Sequence, residues 1–245
     1  MFHTGYLAFW MGNDERATRH FDRAITVARR IGDVPLLARG LVGLARIALR
    51  RNDIEEARRL CREAIAEAEG AGDPSAAAGP LHVLGVAAQM AGDFDEARDA
   101  MTRRIAMGRE IGNLAMVSVE LGNLSMVERQ TGNLDRAEGL AREALQIDLR
   151  RGDEWAVPHK LNAIAAVAVD QGENPRAATV IGAAEAMVEA QGAPWPPDEL
   201  AQYERTIGVL GATMDPDDFA EARATGRAMD LDEAVDFALG ARRAD

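Results

Sequence analysis

The chain has 245 residues, with 28 basic and 40 acidic side chains for a net charge of −12, and is 47% hydrophobic but only 4% aromatic. That length provides for one large domain or two small ones with ample core, and an acidic surface repels phosphate backbones, which argues against direct nucleic-acid binding. One cysteine, Cys61, excludes an intrachain disulfide; no apolar run is long enough to span a membrane, and Met1-Phe2-His3-Thr4-Gly5 lacks the basic start of a signal peptide, so the expected compartment is the cytoplasm.

In chain order, the pattern predicts helices over 3–11 and 14–31, then 35–50 and 54–70, 75–91 and 94–111, 115–131 and 134–151, and 155–171 and 174–191. These pairs follow from a gapless 40-residue repeat. Gly12-Asn13-Asp14-Glu15-Arg16-Ala17, Asn52-Asp53-Ile54-Glu55-Glu56-Ala57, Gly92-Asp93-Phe94-Asp95-Glu96-Ala97, Gly132-Asn133-Leu134-Asp135-Arg136-Ala137 and Gly172-Glu173-Asn174-Pro175-Arg176-Ala177 align with one another. Glycine suits the left-handed residue after a helix, and Asp or Asn caps the next N-terminus. Gly32, Gly72, Gly112, Gly152 and Gly192 close the second helices. Leu41, Leu81, Leu121 and Leu161 form an apolar column, as do Leu44, Leu84, Leu124 and Ile164. The small residues Gly5, Ala45, Gly85, Ser125 and Ala165, with Ala17 and its equivalents, let paired helices approach closely. Cys61 shares a column with Phe21, Met101, Ala141 and Ile181, and reads as a buried small hydrophobe.

After residue 192 the repeat stops. Ala193-Pro194-Trp195-Pro196-Pro197 predicts a rigid corner. Helices are expected over 198–213, 216–227 and 231–240, the last with Asp230 as N-cap and Glu233 at capping-box spacing.

Leu124, Ser125, Gly132-Asn133-Leu134, Ala137, Ala144 and Leu145 resemble the tetratricopeptide consensus, with each repeat lengthened by about a turn and a half relative to its ~34 residues. The fold expected is an all-α, right-handed superhelix of about five such helix pairs over 1–192, with capping helices over 193–245 packed as part of the same domain. The run from Arg176-Ala177-Ala178 through Gly182-Ala183-Ala184-Glu185-Ala186, Tyr203-Glu204-Arg205, Phe219-Ala220-Glu221-Ala222 and Gly226-Arg227-Ala228-Met229 resembles the end of the helical-repeat region of bacterial signal-transduction ATPases and LuxR-type transcriptional regulators. Tyr6-Leu7-Ala8-Phe9-Trp10-Met11-Gly12 looks like a repeat from the middle of that region. The resemblance implies a sensor or interaction region. The chain departs from the family in having neither a phosphate-binding G-x-x-x-x-G-K-[ST] loop nor a helix-turn-helix reader.

In such superhelices the first helix of each pair lines the concave face. Two columns on that face run through Tyr6, Arg46, Val86, Met126 and Ala166, and through Trp10, Arg50, Met90, Gln130 and Asp170. A third holds Val42, His82, Gly122 and Asn162, with Arg39, Asn123, Arg129 and His159 nearby. The candidate binding residues are therefore Tyr6, Trp10, Arg46, Arg50, His82, Met90, Asn123, Met126, Arg129, Gln130, His159 and Asn162. Aromatics and arginines are typical binding anchors. This mixture suits an acidic or amphipathic peptide, or a small organic effector. His82 and Val42 stand where a carboxylate clamp for chaperone tails needs lysine, so such binding is not expected.

No catalytic role is expected. His82, His159 and Asp170 are the only acid–base candidates, and no pattern in the sequence shows that they meet. His3, His20, His82 and His159 fall on different repeats and never at i, i+3 or i, i+4 spacing, so neither a metal nor a cofactor is expected. The acidic starts of second helices, such as Glu55-Glu56 and Asp95-Glu96, read as solvated faces. The apolar first helix predicts an uncovered surface, to be met by an upstream neighbour or by a second copy of the chain.

Overall fold

A computed structural model describes residues 2–192, 194–195 and 197–240. These residues form thirteen α-helices and no strand. The helices fall into two compact units, Met1–Gly112 and Asn113–Asp245. The first unit holds α1 (Phe2–Trp10), α2 (Asp14–Ile31), α3 (Val34–Arg50), α4 (Ile54–Gly70), α5 (Ala78–Ala91) and α6 (Phe94–Glu110). The second holds α7 (Leu114–Gln130), α8 (Leu134–Arg150), α9 (Val157–Asp170), α10 (Asn174–Gln191), α11 (Pro197–Thr213), α12 (Pro216–Arg227) and α13 (Leu231–Leu239). Consecutive helices pack together from α1 to α6 and from α7 to α10, and first helices touch the next first helix, α1 on α3, α3 on α5 and α7 on α9. None of the described helices is long and apolar enough to cross a membrane.

The repeat columns are the packing columns. Ala17, Ala57, Ala97, Ala137 and Ala177 are all fully buried, as are Phe21, Cys61, Met101, Ala141 and Ile181. Where that second column is bulky, the partner helix yields: a Cβ on Gly5 would come within 2.7 Å of the Phe21 ring, and one on Gly85 within 3.0 Å of Met101. Volume is thus conserved between facing positions, as close-packed interiors demand. Ser125 spends its hydroxyl on the Ala137 carbonyl at 2.7 Å, so a polar atom sits in the packing column without a desolvation cost. Burial pushes the Cys61 thiol up to about 12.

Three local expectations need correction. The first helices expected from 75 and from 155 start late: Pro74–Ala77 and Glu154–Ala156 are short 3-10 turns, and the α-ladders begin at Ala78 and Val157. Pro80 and Pro158 explain both. A proline one turn inside a helix lacks the N–H for its own bond and strikes the carbonyl four residues back, so the ladder starts just before it. The second correction concerns caps. Asn13, Asp53 and Asp93 accept from the backbone of Arg16, Glu56 and Glu96, as the pattern implies. Asn133 instead donates to Glu128 at 2.8 Å, and Glu173 pairs with Arg176 at 2.6 Å, so α8 and α10 lack that side-chain cap. The third is Glu96, which is not simply solvated: it receives Arg58 at 2.7 Å and Arg62 at 2.6 Å from α4.

The predicted corner lies partly outside the described residues, which omit 193 and 196. Beyond it, α11 packs on α9, and α12 lies along α10. The Asp230–Glu233 capping box is formed at the start of α13.

Candidate binding surface on the first helices

In the first unit α1, α3, the Pro74–Ala77 turn and the start of α5 line a half-open cavity of about 440 Å³. Pro35, Arg39, Val42 and Arg46 form one wall. Their spacing of four, three and four residues places them on a single face of α3. Tyr6 of α1 faces them, and Ser75, Ala76, Gly79 and Pro80 close the other side. Burial raises the Tyr6 phenol above its ordinary range, against the opposing pull of the Arg46 charge. Arg39 lies 5.7 Å from the Phe2 ring centroid. The Nε of Arg46 is buried with no hydrogen-bond partner.

Other candidates of this unit lie outside that cavity. Arg50 is committed to structure: it donates to the Phe9 carbonyl and to Asp14, each at 2.8 Å, and stacks 3.6 Å over the Phe9 ring. It therefore ties α3 to α1 and to the start of α2. Trp10 and Met90 are 71% and 51% exposed at the ends of α1 and α5. His82 is half-buried on α5.

In the second unit Met126 is half-buried and Gln130 exposed on α7. Arg129 pairs with Asp170 of α9 at 3.0 Å, and Asp170 also receives Arg205 of α11 at 3.6 Å. Asn123 keeps a buried amide nitrogen without a partner. His159 and Asn162 are brought together beneath α11: His159 hydrogen-bonds Glu199, and Asn162 donates to the Glu199 carbonyl at 3.2 Å. Trp195 meets His159 edge-on at 5.7 Å and stacks on Tyr203 at 5.6 Å. Tyr203 donates to the buried Glu185 at 2.8 Å, and Glu185 also receives Arg223 at 2.7 Å and Arg227 at 3.2 Å. Burial, then the Glu185 contact, pushes the Tyr203 phenol up to about 12.

Sequence reasoning missed Glu199 and Trp195 because they lie beyond the repeat register. It named Arg39 only as a neighbour of the groove, although its spacing from Arg46 was readable as two helical turns on one face.

Family models of the tetratricopeptide repeat match residues 3–69, 78–102 and 121–148. No curated protein matches the chain in sequence. Among solved structures, BtubC (BKLC) from P. vanneervenii is similar at 23% identity and a TM-score of 0.68, over 94% of each chain. A Podosopora anserina putative kinesin light chain with nearly identical TPR-like repeats is similar at 16% identity and a TM-score of 0.59, over 79% of this chain and 96% of that one. At these identities the likeness concerns fold, and none of the matched family models describes an enzyme. The chain carries tetratricopeptide repeats in an all-α, tetratricopeptide-like solenoid fold.

Proposed function

We propose that the chain is a non-catalytic interaction and regulatory module that receives a protein or peptide partner on its first helices, in the manner of the repeat regions of bacterial signalling and transcription regulators. One observation carries this reading. Packing consumes the small and apolar columns, while Trp10 and Met90, in register two periods apart on first helices, remain largely exposed. Large apolar side chains left outside the core at repeating positions are typical of recognition surfaces. Leu7 on α1 and Met11 just beyond its end, 61% and 75% exposed, extend the apolar surface, where a second copy of the chain is a further candidate partner. The lone buried Cys61 agrees with a reducing, cytoplasmic setting.

The cavity beside Tyr6 favours a second reading, in which a small-molecule effector binds there and alters partner binding. Site-directed photo-crosslinking tests the first reading. A photoreactive residue at Met90 is expected to capture a partner in cell extract, and one at Asp95, a solvent-facing position of α6, is not. Equal capture from both positions, or none from Met90, sinks the proposal.

A further inference from the structure

The cavity of the first unit differs from its surroundings in charge. Five arginines of this unit meet carboxylates of another helix: Arg29 meets Glu63, Arg50 meets Asp14, Arg58 meets Asp93, Arg62 meets Glu96 and Arg103 meets Glu69; Arg104 donates instead to the Ala78 carbonyl. Arg39 and Arg46 meet no carboxylate among the described residues, although the chain holds 40 acidic side chains. The cavity lining has no acid at all. The Nε of Arg46 is itself covered and lacks an acceptor, which is costly, and Arg39 and Arg46 give the cavity wall two positive charges. Pro35, Val42, Ala76 and Pro80 give the rest of the lining its apolar part, beside Ser75, whose hydroxyl donates to Asp73 at 2.6 Å. The volume falls within the range of small-ligand pockets. A guanidinium presents paired N–H donors that match a planar carboxylate, and the Tyr6 hydroxyl supplies another donor on the facing wall.

We propose that this cavity binds a carboxylate carried on a short apolar or aromatic stem, with Arg46 and Arg39 gripping the anion, Tyr6 donating to it, and Val42, Pro35 and Pro80 holding the stem. The inference deepens the binding reading above, from which it takes the role of the first helices. The carboxylate belongs either to a free metabolite or to an acidic side chain beside an aromatic one in a partner.

The test is calorimetric titration of the full chain with phenylacetate and with phenylacetamide, and with the blocked dipeptides acetyl-Phe-Glu-amide and acetyl-Phe-Gln-amide. At least one acid is expected to bind about tenfold or more tighter than its amide, and Arg46→Met to weaken it by about tenfold or more, since each change leaves a charged group unpaired. Gly79→Leu keeps both arginines but fills the cavity: a Cβ there meets only Val42, at 3.8 Å, so the variant is expected to fold, as circular dichroism would verify, and to lose binding. Tighter binding of phenylacetate supports the site with a free effector, and tighter binding of the Glu dipeptide supports it with a protein partner. Equal binding of acid and amide, undiminished affinity in a folded Gly79→Leu variant, or no binding by any probe overturns the inference. If the probes fail while the residue at Met90 still captures a partner, the carboxylate site falls and the interaction reading stands.

Discussion

Asn52 takes a positive φ of 59°, the only non-glycine residue to do so among the described residues. It occupies the position held by Gly12, Gly92, Gly132 and Gly172 in the other repeats, all of which share the left-handed conformation. Asparagine tolerates that conformation better than other residues with a side chain, yet still pays a steric penalty that glycine escapes. Glycine in turn loses more chain entropy on folding. The two effects nearly offset, and Asn52→Gly is expected to raise stability by about 0.5 kcal/mol, read as a small upward shift of the urea midpoint with unchanged slope. A loss of stability would mean that the Asn52 side chain holds the turn by contacts of its own. Single positions of this kind were legible because backbone geometry restricts them to few residue types. The partnerless Arg46 Nε was not legible, because it depends on which carboxylates three separate helices fail to bring.

At the scale of elements, α10 and α12 of the second unit approach each other closely through glycines. A Cβ on Gly226 would collide with the Thr179 carbonyl oxygen, and one on Gly182 with the Arg223 carbonyl oxygen. Both obstacles are backbone atoms, which cannot swing aside as a flexible side chain can. With α9 on another side and α11 and α13 also in contact, α12 leaves α10 buried around most of its circumference, from Ala177 through Glu185. Gly226→Ala is therefore expected to cost about 3 kcal/mol, at the upper end for overpacking, by forcing the two helices apart. Urea unfolding of the full chain measures it, and a loss below about 1 kcal/mol would show that α12 shifts freely on α10. The helix pairs themselves were legible from the repeat, since every turn and packing column recurs. The late starts of α5 and α9 were less so, although Pro80 and Pro158 stood in the sequence; the 40-residue register outweighed them. The cover placed on His159 and Asn162 by α11 could not be read from a repeat that had already ended.

At the scale of the molecule, the pH range of stability follows from groups in both units. On the acid side, burial alone would raise the Glu138 carboxyl, but hydrogen bonds from Gln171 and Arg176 and the charge of Arg142 hold it below its ordinary 4.5. The hydrogen bond from Arg59 likewise lowers Glu56. A carboxyl depressed in the folded state contributes stability above its unfolded pKa and loses it as pH falls through the folded one. On the alkaline side, Tyr6 and Tyr203 are raised above the ordinary 10.0, Tyr203 to about 12. A raised phenol contributes stability that is complete below pH 10 and is lost as the unfolded chain ionises first, between pH 10 and about 12. The urea midpoint is thus expected to fall below about pH 4.5 and again above pH 10. Tyr203→Phe should flatten the upper limb because phenylalanine has no proton to lose, while leaving the lower limb in place; Glu138→Gln should do the converse. If the upper limb is unchanged in Tyr203→Phe, then the burial of that phenol beneath Trp195 and its bond to Glu185 do not govern alkaline unfolding, and the loss must begin at the arginine–carboxylate pairs or at Tyr6 in the other unit.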